Sequence, residues 1–370
     1  MRFSIQQKEL LKSLSIVQKG VSSKTTLPVL KGIYVEAVDQ YLKLVATDLD
    51  IGIEHFTMAE IEEEGAFVAD ARLLLNIVRK MPSRPIHFEM AEHRQLSITC
   101  DHIAYTLHLL EREEFPELPI VNPESAFQLP QDLFKEMVGQ TLFCASQDES
   151  KPSLLGLRCE MSGGFLEMIG VDGFRLALRR CSIQSDLEMT FTVPVKTMSE
   201  LVQILEENEK PLQISLTDKQ VVFAVENTTL ISRRIDKPFI QFRDILPKNH
   251  ETVIRMPKET LYDSVDRASL LVREGKSSLI KWVIRDNQIT LTARTELGQV
   301  HEEIPVQQTG ENKEIAFNAR YFLEALRAID EAEIEIKLNQ MNNPGIIEPV
   351  EGNEWLYLIL PVRMTATEEI

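Results

Sequence analysis

The segment Arg2-Phe3-Ser4-Ile5, in which apolar and polar residues alternate, runs within a few residues into a helical pattern over Glu9–Lys19. The same succession occurs six times, at intervals of 60 to 64 residues. The markers of these repeats are Phe3, Phe67, Phe127, Phe191, Val253 and Phe317. The helices predicted after them cover Glu9–Lys19, Ala71–Lys80, Gln131–Leu142, Lys196–Glu206, Lys258–Leu270 and Ala319–Ile329. This regularity indicates an internal repeat along the whole chain.

Each predicted helix is followed by about 40 residues rich in β-branched side chains with a period of two, which is typical of antiparallel strands. A single helix with a few strands cannot enclose a core, so we expect pairs of repeats to share one. The sequence therefore predicts an α+β fold of three similar domains, each with two helices backed by antiparallel sheets. Turn-forming residues between the pairs predict domains at residues 1–121, 126–248 and 250–370.

The composition limits the class of protein. The chain has 370 residues and a net charge of −17, from 57 acidic and 40 basic residues. No apolar run reaches the ~18 residues needed to cross a bilayer, and Met1–Lys8 has no signal-peptide core, so we expect a soluble cytoplasmic protein. Cys100, Cys144, Cys159 and Cys181 form no C-x-x-C pair, which argues against disulfide and metal scaffolds.

The predicted helices share a partly basic face. Lys8, Lys12 and Lys19 lie opposite the apolar side of the first helix, and Arg72 and Arg79 recur on the second. On one helix such cations are ordinary solvent-exposed residues. Their recurrence at equivalent positions favours a surface that binds phosphates without reading bases.

Simple geometry relates this surface to duplex DNA. With helix axes roughly 10 Å apart, six helices in a circle have an axis radius of about 10 Å, which leaves no room for a duplex. Twelve helices give a radius of about 19 Å and a hole of radius about 14 Å, wide enough for DNA. We therefore expect two chains, and not one, to encircle DNA, with the acidic residues outside.

The sequence offers little sign of catalysis. It has no P-loop, dinucleotide-binding, zinc-protease or nucleophile-elbow motif, and its histidines lack partners at metal-ligand spacing, so we expect no catalytic residues, no cofactor and no metal site. Asp48 and Asp50 could form a carboxylate pair for metal or acid–base chemistry. Because Asp172 occupies the equivalent place in the third repeat, a repeated turn-forming aspartate is the simpler interpretation. Two alternatives stay open: a metal-dependent enzyme that uses Asp48, Asp50 and Asp172, and a monomeric interaction scaffold.

Several segments carry a family resemblance. They are Ser22–Leu30, Ala46–Asp50, Asp172–Ala177, Leu246–Asn249, Phe317–Tyr321 and Leu360–Met364. In this order and at these spacings, the chain resembles the bacterial DNA polymerase III β subunits, the replicative sliding clamps, over essentially its full length. The resemblance implies a closed ring (the DNA clamp fold) made by a head-to-tail homodimer, with helices inside and sheets outside. It also implies a non-enzymatic processivity factor of DNA replication that is cytoplasmic and nucleoid-associated.

The resemblance further implies partners that dock through short linear motifs: the replicative DNA polymerase, the clamp-loader complex, repair and translesion polymerases, a mismatch-repair protein and ligase. The matching pocket residues are Leu154, Val171, Gly173, Phe174, Arg175, Leu176, Ile240, Ile245, Asn318, Tyr321, Met341, Pro344, Leu358, Ile359, Leu360, Pro361, Val362, Arg363 and Met364. Val171 and Phe174 replace the family's usual hydroxyl and imidazole, and Asp244 replaces an arginine at the pocket edge. The tail Thr365–Ile370 extends beyond the usual end of the family and could partly cover the pocket.

Two further sets of positions match the family. Lys24, Arg72, Gln147, Lys151 and Lys196 match positions near the duplex and join Lys8, Lys12 and Arg79 of the basic helix faces as predicted DNA-binding residues. The implied dimer contact joins Arg72, Tyr105 and Leu107 of the first domain to Leu270, Leu271, Glu296, Glu302 and Glu303 of the third. Basic residues opposite acidic ones would favour head-to-tail closure.

Overall fold

The computed structural model describes residues 1–22, 25–91, 94–119, 125–272, 279–340 and 342–363, without the side chains of residues 91 and 125. In these ranges the chain forms the helices α1 (Gln7–Val17), α2 (Ala71–Lys80), α3 (Gln131–Gly139), α4 (Val195–Val202), α5 (Lys258–Val272) and α6 (Ala319–Arg327). Lys24, Met341, Met364 and the tail Thr365–Ile370 lie outside the described residues.

All six predicted helices are confirmed, and their starts differ from the prediction by two residues at most. α2 and α6 begin where predicted because each is capped: the Asp70 carboxylate accepts the N–H of Leu73 at 2.8 Å, and the Asn318 side chain accepts that of Arg320 at 3.0 Å. α3 and α4 end three and four residues earlier than predicted, and α1 and α6 each end two residues earlier. The chain leaves α1 and α3 in short turns, Gln18–Gly20 and Leu142–Cys144.

Each repeat has one strand before its helix and three after it. Short extra strands, β5 and β22, occur in the first and fifth repeats. The strands are β1 (Arg2–Gln6), β2 (Gly32–Val38), β3 (Tyr41–Thr47), β4 (Ile51–Met58), β5 (Glu60–Glu63), β6 (Gly65–Asp70), β7 (Pro85–Ala91), β8 (Gln95–Cys100), β9 (Ile103–His108), β10 (Ser125–Pro130), β11 (Gly156–Ser162), β12 (Phe165–Val171), β13 (Arg175–Ser182), β14 (Met189–Pro194), β15 (Pro211–Leu216), β16 (Gln220–Val225), β17 (Thr228–Arg233), β18 (Thr252–Pro257), β19 (Leu279–Arg285), β20 (Gln288–Thr295), β21 (Gly298–Pro305), β22 (Gln307–Gly310), β23 (Lys313–Asn318), β24 (Glu333–Leu338), β25 (Gly345–Pro349) and β26 (Trp355–Ile359).

Paired repeats exchange their leading strands. β1 pairs with β7 of the second repeat, whereas β6 pairs with β2 of the first, and the third to sixth repeats follow the same scheme. The four sheets have the orders β5-β1-β7-β8-β9, β10-β15-β16-β17-β4-β3-β2-β6, β14-β11-β12-β13-β26-β25-β24-β18-β22 and β21-β20-β19-β23. The exchange confirms that two repeats share a core, since neither sheet is complete without its partner repeat.

Two antiparallel joints extend the middle sheets. β4 pairs with β17, and β13 pairs with β26. Each pairing joins the sheets of two repeats into one continuous sheet. The chain divides into two compact units: unit one is residues 1–134 and 199–234, and unit two is residues 135–198 and 235–370. This division differs from the three predicted domains because the two joints connect strands from neighbouring domains. The domain boundaries stay a prediction.

Each unit has an apolar core. In unit one, the rings of Phe3 and Phe88 stack with centroids 4.6 Å apart. In unit two, the fully buried Trp282 packs against Phe317 and Phe322 with ring centroids 5.5 and 4.7 Å away. No helix among the described residues is both long and apolar enough to span a membrane.

Candidate peptide-binding pocket and nucleic-acid interface

A tight turn between β12 and β13 presents an aromatic side chain to solvent. The carboxylate of Asp172 accepts the backbone N–H groups of Phe174 at 2.8 Å and Arg175 at 3.1 Å. Gly173 has a φ of +97°, the left-handed region that favours glycine. As a result the Phe174 side chain points outward and is 55% exposed.

Arg175 is the structural centre beneath this turn. Its guanidinium donates to Asp172 at 3.0 Å and to the carbonyl of Phe143 at 2.8 Å, and it forms an ion pair with Glu324 at 2.5 Å. It also lies 4.5 Å from the ring centroid of Tyr321. Burial raises the pKa of Glu324, but hydrogen bonding and charge from Arg320 and Arg175 outweigh burial, so that its pKa is lowered. Arg175 is only 6% exposed. Because it lies on β13 and its ion-pair partner Glu324 lies on α6, it positions the strand against the helix.

Several chain segments that pack near the Phe174 turn carry exposed apolar side chains. The Phe174 ring stacks 6.5 Å from that of Tyr321, and the Phe174 carbonyl accepts the N–H of Leu360 at 2.9 Å. The N–H of Val362 donates to the carbonyl of Ala316 at 2.8 Å, which holds the segment after β26 in place. The exposed patch, as we call this surface, consists of the exposed side chains Phe174, Ile240, Ile245, Leu360 and Val362.

A buried apolar layer supports the exposed patch. Phe242 packs with residues predicted for the pocket, and Ile240 and Ile245 flank it in the chain. The buried predicted residues are Leu154, Val171, Arg175, Leu176, Leu358 and Ile359; Asn318, Tyr321, Pro344 and Pro361 are half-buried; Gly173 and Arg363 are exposed with the patch. Of these, Ile359 belongs to the neighbouring core of unit two, and Asn318 caps α6.

Some residues of this site were missed from the sequence. Phe143, Phe242 and Glu324 hold the pocket together, although only Glu324, four residues after Arg320, has a spacing that suggests an ion pair. Asp244 is exposed next to the exposed patch, whereas its neighbour Arg243 pairs with Glu160 and Glu167 on the sheet.

The predicted DNA-binding residues have different surroundings. Lys8, Lys12, Arg72, Arg79, Gln147 and Lys196 are exposed. Lys12 forms an ion pair with Glu206 at 3.3 Å, so part of the basic face of α1 is neutralised within unit one. Lys151 is half-buried, 5.5 Å from the ring centroid of Phe174, and donates to the carbonyl of Asp172 at 3.4 Å. Lys151 therefore borders the exposed patch.

Apart from Arg72, which is on α2, the predicted dimer residues lie on or beside two strands that end their sheets. β9 ends one sheet and β21 ends another in the part of the chain that the structure describes. On β9, Tyr105 is 42% exposed and Leu107 is buried; beside β21, Leu270 of α5 is 61% exposed. Leu271 is half-buried and Glu296 and Glu303 are exposed. A bidentate hydrogen bond from Arg267, at 2.8 Å, lowers the pKa of Glu302.

The candidate carboxylate pair forms a turn. Asp48 accepts the N–H groups of Asp50 at 3.0 Å and Ile51 at 2.8 Å, the same arrangement as around Asp172. Within the described ranges no group of three His, Cys, Asp or Glu side chains is placed to hold a metal ion. The hydrogen bonds thus confirm the turn-forming interpretation of both aspartates.

Comparison with known proteins agrees with this fold of three pairs of repeats. The family models of the DNA polymerase III beta subunit match in three parts: the N-terminal domain at residues 1–119, the central domain at 128–240 and the C-terminal domain at 243–363. The beta sliding clamps of Bacillus subtilis and Halalkalibacterium halodurans are 32% and 31% identical, over 98% of this chain and 100% of theirs.

Solved structures give the same result. The crystal structure of the Bacillus subtilis DNA polymerase sliding clamp superposes with a TM-score of 0.96 at 31% identity, covering 99% of this chain and 100% of that one. A putative DNA polymerase III beta subunit from Eubacterium rectale gives 0.94 at 30% identity, covering 98% and 99%. The fold is thus that of the DNA sliding clamps of replication. The chain belongs to the DNA polymerase III beta subunit family.

Proposed function

We propose that two copies of this sliding clamp close head to tail into a ring around duplex DNA. The observation that carries the proposal is the pair of free edges, β9 and β21. The strands in the same position of other repeats pair with each other, β4 with β17 and β13 with β26. An antiparallel β9–β21 pair between two chains would repeat these joints and remove two exposed sheet edges.

The side chains along the two edges support this pairing. Tyr105 and Leu270 are large exposed apolar side chains that a partner edge would cover. Arg72 on α2 and Glu296 and Glu303 at β21 have opposite charges, which favours a heterologous contact over pairing of like edges. Glu302 already pairs with Arg267, so we assign it to positioning within its own chain.

The ring acts as a processivity factor and has no reaction of its own. Lys8, Lys12, Lys24, Arg72, Arg79, Gln147 and Lys196 would contact phosphates weakly and without sequence preference, while topology retains the ring on DNA. Lys151, beside Phe174, would serve DNA and pocket alike. The three domains at 1–121, 126–248 and 250–370 give six domains in the ring, and its place of work is the nucleoid in the cytoplasm.

The exposed patch would tether partners through short linear motifs with leucine and phenylalanine anchors. Exposed apolar side chains over a rigid layer, with few polar groups, suit such peptides. The partners are the replicative polymerase, the clamp loader, repair and translesion polymerases, a mismatch-repair protein and ligase. Tethering raises the effective concentration of the polymerase at its template.

Small-angle X-ray scattering of the purified protein tests the ring. We expect twice the chain mass and the distance distribution of a hollow ring. Tyr105→Asp with Leu270→Asp should give a monomer, whereas Tyr41→Asp, which changes a tyrosine of similar exposure away from both edges, should not. A compact monomer of the unchanged protein would favour the scaffold alternative and contradict encirclement.

A peptide titration tests the pocket separately. A Gln-Leu-x-Leu-Phe-type peptide should bind the unchanged protein and lose most of its affinity in Phe174→Ala. The matched control is Phe165→Ala, a phenylalanine on β12 of the same unit that is 36% exposed. Truncation at Val362 should abolish peptide binding and leave the dimer intact.

Metal-dependent DNA cleavage that disappears in Asp48→Ala would instead support the enzyme alternative.

A further inference from the structure

Unit one contains an open groove that neither the ring nor the exposed patch uses. It is a cavity of about 1040 Å³ over the sheet face of β2, β3, β4 and β17, bordered by the linker segment Arg112–Pro119. Val45 and Ile231 lie in its floor, and five glutamates line it against two cations, Lys43 and Arg112. Lys43 is already paired with Glu54 at 2.7 Å. The groove is therefore apolar at its floor and acidic at its walls.

The internal repeat provides a matched surface in unit two. The strand registers align the sheet of β2, β3, β4 and β17 with that of β11, β12, β13 and β26. The matched positions are Tyr34 and Arg158, Glu36 and Glu160, Lys43 and Glu167, Val45 and Ile169, Thr229 and Leu356, and Ile231 and Leu358.

In unit two the chain covers this surface with its own segment, Phe239–Arg243. The ring of Phe239 lies 5.9 Å from the guanidinium of Arg158. Phe242 is 2% exposed and packs in the cluster that contains Ile169 and Leu358. Arg243 then forms ion pairs with Glu160, at 2.6 Å, and with Glu167. An aromatic side chain followed by an arginine thus fills the surface.

The linker of unit one makes the first of these contacts, fills the second position with a smaller side chain and lacks the third. Phe115 takes the place of Phe239 and stacks on Tyr34 with centroids 5.5 Å apart. Leu118, in the place of Phe242, lies against Gly52, where a Cβ atom would come within 2.4 Å of it. Pro119, in the place of Arg243, has no charge to offer Glu36. The groove keeps its volume and its acidic wall for these reasons.

We propose that the open groove binds a segment of a partner protein in which a large apolar or aromatic residue is followed directly by arginine. The apolar side chain would lie over Val45 and Ile231, and the arginine would pair with Glu36, as Arg243 pairs with Glu160. Charge complementarity supports this occupant, because the glutamates of the walls outnumber the cations. The site is distinct from the exposed patch, so it would let a second partner bind at the same time.

The molecule itself supplies the probe. A fluorescent peptide with the sequence Lys-Pro-Phe-Ile-Gln-Phe-Arg-Asp-Ile-Leu, identical to residues 237–246, is titrated into the full-length protein and followed by anisotropy. We expect binding that Glu36→Lys weakens about tenfold or more, because it reverses the charge facing the arginine. Glu209→Lys, an exposed glutamate of unit one outside the groove, should have little effect.

Further variants separate the possible sites. A peptide with glutamate in place of arginine should bind weakly to the unchanged protein. Phe174→Ala should not alter binding of the original peptide; a loss there and none in Glu36→Lys would assign the peptide to the exposed patch and overturn the proposal. Absence of binding to the unchanged protein would overturn it as well.

Two other occupants would be recognised by the same set of measurements. A fall in particle mass of Glu36→Lys in scattering would mean that a second copy of the chain covers the groove. Binding that occurs only after residues 120–124 are replaced by glycine and serine would mean that the chain's own linker is the occupant. Either result contradicts docking of a partner, while the ring and the pocket at Phe174 would be unaffected.

Discussion

The joint β4–β17 in unit one and the joint β13–β26 in unit two have the same backbone and different side chains. Each contains five antiparallel residue pairs. Each begins at an aspartate, Asp48 or Asp172, that accepts the N–H groups two and three residues later. The repeat thus preserves the turn and the sheet, which hydrogen bonds determine, without preserving the surface.

Three of the matched positions at which the joints differ bear most directly on the two surfaces. Ile51 is buried where Arg175 forms its ion pairs, Gly52 stands in place of Leu176, and His55 stands in place of Arg179. In unit two Arg175 forms a buried ionic network beneath the exposed side chain of Phe174. In unit one Gly52 admits Leu118 against the sheet. A duplicated backbone can therefore carry different surfaces in its two copies.

Removal of Arg175 should have the largest effect. Arg175→Ala leaves the carboxylates of Asp172 and Glu324 without their buried partner, which typically costs about 3–5 kcal/mol in the free energy of unfolding. Urea unfolding followed by tryptophan fluorescence reports unit two, since Trp282 and Trp355 both lie there. Arg320→Ala, which removes an exposed partner of Glu324, is the control. A cost below about 1 kcal/mol would contradict a structural role for Arg175.

Acid should weaken the joint of unit one before that of unit two. Burial, with a smaller contribution from the charge of Lys12, lowers the pKa of His55 to about 4, and its ring nitrogen lies 2.8 Å from the Thr228 hydroxyl. In the unfolded chain the same imidazole binds a proton near pH 6.5. The neutral, buried His55 therefore contributes fully to the free energy of unfolding above pH 6.5. This contribution, about 3 kcal/mol in all, is lost as the pH falls toward 4.

Hydrogen exchange of the β4 and β17 amides between pH 4 and 7, corrected for the intrinsic rate, measures the effect. His55→Gln should remove most of this pH dependence, while the amides of β13 and β26 serve as an internal reference. Equal pH dependence at the two joints would show that His55 is not its source.

Substitutions at the contact between Gly52 and Leu118 should have an intermediate effect on stability. Gly52→Ala would place a methyl group 2.4 Å from the end of the Leu118 side chain, at a cost of about 1–3 kcal/mol for overpacking. Leu118→Ala in the same chain should recover most of this loss, because it vacates the space. Thermal unfolding of the two single variants and the double variant gives the coupling energy; additive losses would exclude the contact as the cause.

The sequence was sufficient for the parts of the molecule that local rules determine. The six helices follow from periodicity and from caps such as Asp70 and Asn318, and the turn at Asp172 follows from its repetition of Asp48. The exchange of leading strands and the two joints depend on contacts between residues far apart in the chain, which no local pattern encodes. Arg175 was identified only through family resemblance, and its partner Phe143 contributes a backbone carbonyl, which has no sequence signature.

The smallest effect concerns the residue at the top of each turn. Leu49 has a φ of +81° and Gly173 a φ of +97°, so the same left-handed position is held by leucine in one copy and glycine in the other. The left-handed conformation costs a residue with a side chain roughly 1–2 kcal/mol in stability. Glycine avoids this strain but loses more conformational entropy on folding, which offsets part of the benefit. Leu49→Gly should therefore stabilise unit one by about 0.5–1 kcal/mol. Gly173→Ala should destabilise unit two by a similar amount. If thermal unfolding showed that both variants change stability in the same direction, backbone strain would not distinguish the two turns.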